Sequence, residues 1–205
     1  MNTRICAIAL LLTLVPATAL AHAPIRGIGD FYNGILHPLM VPAHLIVLIA
    51  LGLLIGQQMA DRITLAPRVF MAGLLPGLAA ATLLPVFDCE PFLLPAALAC
   101  AMACALKPAV KPVLILLAAA LCGLLLGMDS APADLPLRGR LMSLGGTFIG
   151  ASLSLFYLAL LCTKARRPWQ QVGIRVVASW TAASALLVLA LRLLSKKGGK
   201  IRSWR

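Results

Sequence analysis

The sequence predicts an all-α polytopic membrane protein, a bundle of about six transmembrane helices after an N-terminal signal peptide. Hydrophobic residues make up 61% of the 205 positions, and only six side chains are acidic. The apolar residues also form long runs separated by short basic or proline-containing loops. A soluble domain of this size cannot bury so much apolar surface. Because backbone polar groups in lipid must be satisfied internally, the apolar runs are predicted to be helices.

The first 21 residues have the three parts of a secretory signal peptide. Arg4 gives a positive start, an apolar stretch runs from Ile5 to Val15, and positions 19–21 read Ala-Leu-Ala, a small-x-small cleavage site. Cleavage there makes His22 the first residue of the mature chain. It also predicts a bacterial inner-membrane protein with a periplasmic N-terminus. The alternative is an uncleaved first helix.

Six apolar segments follow, each near or above the ~20 residues that cross a hydrocarbon core, the third and fourth being the shortest. They are Gly34–Gln57, Pro67–Phe87, Pro91–Leu106, Lys111–Met128, Leu141–Cys162 and Val172–Leu194. The predicted organisation is therefore a signal peptide over 1–21, a six-helix transmembrane domain over 22–194 and a basic tail over 195–205.

The charges of the loops agree with a periplasmic N-terminus. The loops that it assigns to the cytoplasm are basic, as the positive-inside rule requires, and carry Arg62, Arg68, Lys107, Lys111, Lys164, Arg166 and Arg167. The two outer loops carry Asp88, Glu90, Asp129 and Asp134. Six spans also place the basic tail outside, which the positive-inside rule does not favour. Either one short segment is re-entrant, or charges near the C-terminus have less influence on membrane orientation. No basic stripe interleaves with aromatics, so a nucleic-acid partner is not expected.

All three histidines, His22, His37 and His44, lie within the first 44 residues. His37 and His44 are seven residues apart, which is about 10.5 Å along a straight helix, too far for both to reach one ion at about 2.1 Å. Pro38 and Pro42 remove backbone donors and restrict the residues before them, which predicts a broken helix. Broken helices are where transporters build ion sites, so the two imidazoles are predicted to bind a divalent metal ion. The alternative is a pair of helix-cap or inter-helix hydrogen bonds.

Other residues offer weaker metal chemistry. In a cleaved chain, His22 and its α-amine could together chelate a divalent ion. The alternative is that His22 has no such role and is simply a solvent-exposed residue after the cleavage site. Cys100 and Cys104 share a helix face at i,i+4 and would suit a soft metal. Packing is the favoured role for these thiols because no histidine or further cysteine is near them in sequence. The cysteines do not form a disulfide framework.

The stretch GILHPLMVPAHLIVLIALGLLIGQQ resembles the first span of the HupE/UreJ family, membrane proteins regarded as nickel or cobalt permeases that supply hydrogenase and urease. The first-span motif of the family is H-x(5)-D-H, onto which His37 and His44 map, with Ala43 at the aspartate position. A second motif, F-H-G-x-A-H-G-x-E, corresponds to LLLGMDSAPAD after the fourth span, which keeps Gly127 and has no histidine. A further family histidine in the fifth span is replaced near Phe156-Tyr157. A signal peptide followed by six spans also fits that family.

The resemblance implies a permease for nickel or cobalt with His37 and His44 as ligands, and not an enzyme. Because Ala43 cannot supply the family carboxylate and the second histidine motif is missing, weaker metal binding is expected unless another acidic residue balances the charge of the dication. The candidates are Asp30, the nearest in sequence, Asp88, Glu90 and Asp129.

No nucleotide-binding motif or nucleophile elbow is present, so transport would be channel-like or driven by a gradient. The alternative function is a non-transporting membrane accessory or scaffold protein for metalloenzyme maturation, with maturation proteins as partners. The missing aspartate and second histidine motif favour that alternative.

Overall fold

The computed structural model describes residues 27–83, 87–131 and 135–202, with side chains described as far as Leu194. Within these ranges every regular element is helical, so the predicted all-α class is confirmed. The α-helices are α1 (Gly29–Met40), α2 (Pro42–Gln58), α3 (Leu65–Leu83), α4 (Glu90–Leu106), α5 (Pro112–Met128), α6 (Leu137–Lys164) and α7 (Pro168–Arg202). A short 3-10 helix, Ala60–Arg62, follows α2. The predicted signal peptide lies outside the described residues.

The helices have the length and composition of a membrane bundle. In the described part of the chain, α3, α6 and the Pro168–Leu194 part of α7 are long and apolar enough to cross a membrane. The bent pair α1 and α2 makes a fourth if it counts as one span, and α4 and α5 are shorter apolar helices of 17 residues. A helix of that length is about 25 Å long, against about 30 Å for a hydrocarbon core. A helical membrane bundle is thus confirmed, while six spans remain a prediction.

Two boundaries differ from those expected. The predicted first span is two helices, α1 and α2, and the last helix continues through most of the basic tail to Arg202. The tail reads SKKGGKIR over 195–202, and lysine and arginine are good helix formers. Its helical backbone therefore extends a helix that is already nucleated.

Helix α2 is the centre of the bundle. Its sequence is apolar on every side, a pattern typical of a helix that is surrounded by others. Twelve of its 17 residues are buried. It packs against α4, α5, α6 and α7, so these four helices surround the continuation of the histidine segment.

Two helix pairs approach backbone to backbone at glycines spaced i,i+4. Helix α1 crosses α6 at Gly146 and Gly150, where a Cβ on Gly150 would lie 2.2 Å from the carbonyl oxygen of Ile35. Helix α3 crosses α5 at Gly123 and Gly127, which are equally crowded by the α3 backbone. Because lipid gives no hydrophobic drive for association, such small-residue contacts provide the close packing that holds membrane helices together.

The α1–α6 contact also satisfies a carbonyl that a proline leaves open. Pro38 lies inside α1 and has no N–H to donate to the carbonyl of Gly34, four residues earlier. The hydroxyl of Thr147 on α6 donates to that carbonyl instead, at 3.2 Å. Thr147 lies between the two interface glycines, so the same close approach that packs the helices brings the missing donor.

The charged loops separate to the two ends of the bundle. At one end, the Gln58 amide donates to the Pro108 carbonyl at 3.0 Å, and the Val110 N–H donates to the Gln58 side-chain oxygen at 2.9 Å. These bonds tie the end of α2 to the basic α4–α5 loop. At the opposite end, the Cys89 N–H binds the Asp129 carboxylate at 2.9 Å and joins the two acidic loops. Acidic and basic loops are thus at opposite ends of the helices, which is the relative arrangement expected from their charges.

Replacing Gly150 with leucine should destabilise the protein through the α1–α6 contact. The new side chain would collide with the backbone of α1, and overpacking of this kind costs about 1–3 kcal/mol. Gly145 on the same helix faces open space, and no atom of the described residues would lie within 4 Å of a Cβ added there, so Gly145→Ala is the matched control. Thermal unfolding of the detergent-purified variants should show a lower midpoint for Gly150→Leu alone, and equal midpoints would contradict this account of the interface.

Candidate metal site

The break between α1 and α2 lies at Val41, where the chain bends by 68°. A residue before proline is kept out of the helical region, and Val41 is extended with φ −83° and ψ 115°. Pro42 is the first residue of α2, a position whose N–H has no partner in any helix. The Val41 N–H still bonds to the His37 carbonyl at 3.0 Å. Helix α1 therefore ends with its last turn intact, and α2 starts in a new direction.

The bend brings the two imidazoles of the first span together. The ring centroids of His37 and His44 are 5.3 Å apart, with 70° between the ring planes. On a straight helix the same residues would be separated by about 10.5 Å along the axis. Two imidazoles that share one tetrahedral ion through bonds of about 2.1 Å have centroids about 5 Å apart. The observed separation is therefore compatible with a shared ion.

His44 is oriented by a carboxylate from a distant part of the chain. Its ring is fully buried, and its Nε2 lies 3.0 Å from Oδ2 of Asp129, 85 residues away. When Nε2 carries the proton for this bond, Nδ1 carries the lone pair. Nδ1 of His44 is buried and makes no hydrogen bond within the described ranges. A histidine that donates one ring N–H to a carboxylate and keeps its other nitrogen available has the arrangement of a metal-ligating imidazole.

Asp129 is held in its charged form although it is largely buried. Burial alone would raise the pKa of Asp129, but the hydrogen bond from His44, the Cys89 N–H and the charge of Arg192 lower that pKa below its ordinary value. The carboxylate is therefore an anion at neutral pH, and it puts the negative charge that a dication requires beside His44.

Cys89 contributes its backbone rather than its thiol. The side chain is buried, and burial together with the charges of Asp129 and Asp88 raises the pKa of the Cys89 thiol to about 11. Because the thiolate is the form that binds metals, this thiol is a poor ligand at neutral pH. Its N–H holds Oδ1 of Asp129 at 2.9 Å and leaves Oδ2 for His44.

Of the predicted site residues, the structure brings together His37, His44 and Asp129. Asp30 lies near the other end of α1, beside the start of α6, where a Cβ on Gly139 would be 2.6 Å from its Oδ2. His22 lies outside the described residues. Among the residues that are described, no three His, Cys, Asp or Glu side chains form a group that could hold a metal ion. The site as built thus has two imidazoles and one orienting carboxylate.

The other acidic candidates and the cysteines have different partners. Asp88 and Glu90 both form ion pairs with Arg192. The cysteines of the described bundle are buried and form no disulfide there. A packing role for these thiols agrees with that arrangement.

Sequence reasoning did not identify Arg192. It is one of two basic residues within the last apolar segment, the other being Arg175. An ionisable residue in such a position usually has a partner in the bundle. The two carboxylates that it binds precede it by about 100 residues. No local pattern connects them.

The site is recessed below one end of the bundle. Gly56 of α2 packs against Ala159 and Cys162 of α6, so the basic ends of these two helices are level. His44 lies about 20 Å from that end, whereas α6 continues for about 38 Å beyond Cys162, at 1.5 Å per residue. His44 is therefore roughly 18 Å below the acidic end of α6.

Replacing Asp129 with asparagine should lower stability in a pH-dependent way. A carboxyl group whose pKa is lowered by folding stabilises the protein above its unfolded pKa, and this contribution is lost as the pH falls through the folded value. Thermal unfolding should show the variant about 1.5–3 kcal/mol less stable near pH 7, the range for hydrogen bonds to charged groups. The difference from the unmodified protein should shrink below about pH 4. The exposed Asp61→Asn is the control; a difference that does not change with pH would contradict the assigned charge.

Comparison with known proteins identifies the family. Residues 10–189 match the family described as HupE / UreJ protein. No curated protein and no solved structure matches the chain. The family is one of accessory membrane proteins associated with hydrogenase and urease and with nickel or cobalt, and it is not known as a family of enzymes. The match covers the histidine-bearing helices and most of the bundle, and the chain therefore belongs to the HupE/UreJ family.

Proposed function

We propose that this protein is an inner-membrane permease for a divalent transition metal, nickel or cobalt, in which His37 and His44 bind the ion. The observation that carries the proposal is the 5.3 Å approach of the two imidazoles at the break between α1 and α2. Family membership supports the choice of metals. Imidazole suits nickel and cobalt, although it also accepts zinc and copper.

Asp129 takes the place of the aspartate that the resemblance assigns to position 43. Ala43 has no polar atoms in its side chain, whereas Asp129 reaches the neighbouring His44 through space from the end of α5. It supplies a negative charge and fixes the ring so that Nδ1 is available. The family carboxylate is thus replaced by one that is distant in sequence and adjacent in the fold.

The ion approaches from the acidic end of the bundle. Asp88, Glu90 and Asp129 lie there, and negatively charged groups raise the local concentration of cations. Two protein ligands leave other coordination positions for water, so the ion binds weakly enough to be released, as conduction requires. In a chain cleaved after Ala21, His22 and its α-amine are further candidate ligands.

The placement of Arg192 supports an even number of crossings. Its ion pairs bring the far part of α7 to the acidic end of the bundle, next to the start of α4. A periplasmic N-terminus followed by six crossings, with α1 and α2 as the first broken span, puts both features on the periplasmic side. We therefore propose six spans after a cleaved signal peptide, with the basic tail continuing α7 outside.

A non-transporting accessory role is the second candidate, in which the protein delivers metal to a maturation partner. The burial of His44 and the lack of a three-ligand group in the described part of the bundle favour it. Vesicles separate the two functions. Purified protein in liposomes that contain a metal-sensing dye should admit Ni²⁺ if it is a permease, whereas an accessory protein binds Ni²⁺ in detergent and gives no flux.

Combined replacement of His37 and His44 by alanine should abolish high-affinity nickel uptake. Both imidazoles that reach the ion are removed, and each ligand loss lowers affinity. The measurement is accumulation of Ni²⁺ in cells that lack other importers, with membrane levels of the protein checked. Gln57→Ala is the matched control, since it removes a polar side chain of α2 at the opposite end, where its amide binds the Cys104 carbonyl at 3.2 Å. Unchanged accumulation in the double variant would defeat the proposal.

A further inference from the structure

Arg192 connects the last helix to the loop beside the metal site. Its Nη1 lies 2.6 Å from Oδ1 of Asp88, and its Nε lies 2.7 Å from Oε2 of Glu90. These two carboxylates flank Cys89, the residue whose N–H binds Asp129. One guanidinium group therefore holds both neighbours of the residue that orients the carboxylate of the site.

Further bonds to this short segment come from the first turn of α4. The carbonyl of Cys89 accepts the N–H groups of Phe92 and Leu93, both at 3.0 Å, as the first turn of the helix begins. Helix α4 thus fixes the carbonyl side of Cys89, and Arg192 fixes the side chains on both sides of it. A planar guanidinium engages two carboxylates through separate nitrogens in fixed directions, which the ammonium of lysine cannot do.

We propose that Arg192 is a positioning residue for the metal site. By holding Asp88 and Glu90 it fixes the Cys89 N–H, which keeps Oδ1 of Asp129 engaged and leaves Oδ2 to orient His44. The proposal rests on the proposed function of the histidine pair as a metal site. It adds helix α7 to the elements that determine the affinity of that site.

Whether removal of Arg192 weakens or strengthens metal binding distinguishes a positioning role from a purely electrostatic one. Arg192 is a cation close to the site, so removing it would strengthen the binding of a divalent cation if it acted only through repulsion. If it acts by positioning, removing it weakens binding. A lysine at this position keeps the charge and loses the two-nitrogen geometry.

The test compares Arg192→Gln and Arg192→Lys with Arg175→Gln. Arg175 is on the same helix, about 25 Å away, and its Nε donates to the Ala105 carbonyl at 2.8 Å, a similar tie between α7 and α4. Each full-length variant is purified in detergent and titrated with Ni²⁺ alone, and its thermal unfolding is recorded. We expect both Arg192 variants to bind Ni²⁺ about 10-fold more weakly, the lower end for loss of a group that orients a ligand. Arg175→Gln should bind normally, and the three unfolding midpoints should be similar.

Tighter binding in Arg192→Gln, or normal binding in Arg192→Lys, would overturn the proposal in favour of a charge effect. Equal weakening in Arg175→Gln would also overturn it, because the effect would then be general to the packing of α7.

A second measurement needs no metal and keeps the two proposals separate. The Cys89 side chain is fully buried, and its two neighbours in sequence are the carboxylates that bind Arg192. Alkylation of Cys89 by a maleimide, located by peptide mass spectrometry, should be faster in both Arg192 variants than in the unmodified protein and in Arg175→Gln. If the unmodified protein binds no Ni²⁺, the metal-site proposal fails, and faster labelling still supports the role of Arg192 in fixing this segment. Equal protection of Cys89 in all variants would overturn it.

Discussion

The break at Val41 and Pro42 is the constraint on which the rest of the site depends. In lipid a helix can be interrupted only where the freed backbone groups find partners within the protein. Here Thr147 donates to the carbonyl that Pro38 leaves open, and the Val41 N–H keeps its bond to His37. The interruption is therefore stable, and it brings together two residues that would be about two turns apart on a straight helix. Without the bend, the rings would be too far apart to share a ligand.

The site also retains a carboxylate beside His44 although the aspartate of the sequence motif is absent. In the resemblance, the carboxylate stands next to a histidine in sequence, but here that position is Ala43. Asp129 reaches the same ring from another helix, and the Cys89 N–H holds its second oxygen. Because the function of such a carboxylate is to orient a ring and balance a charge, its place in the fold matters more than its place in the chain.

The short helices make this arrangement possible. Helices α4 and α5 are shorter than α6, and Cys89 and Asp129 at their ends lie at the level of His44. Helix α7 closes the same region through Arg192. The acidic side chains thus have two roles. Asp129 binds the His44 ring, whereas Asp88 and Glu90 form ion pairs with the Arg192 guanidinium.

The sequence by itself determined the helical membrane class, the break in the first span, the separation of acidic from basic loops and the family. These follow from local physics, namely long apolar runs, the conformational limits that proline imposes and the charges of adjacent loops. It left four acidic candidates for the carboxylate of the site, and it gave Arg192 no role. Only the tertiary structure decided that Asp129 reaches His44 and that Arg192 binds Asp88 and Glu90. The reason is that these helices are apolar on nearly every face, so their patterns do not specify which face meets which neighbour. The partners are set by glycine contacts and helix lengths, which take effect only when the bundle is assembled.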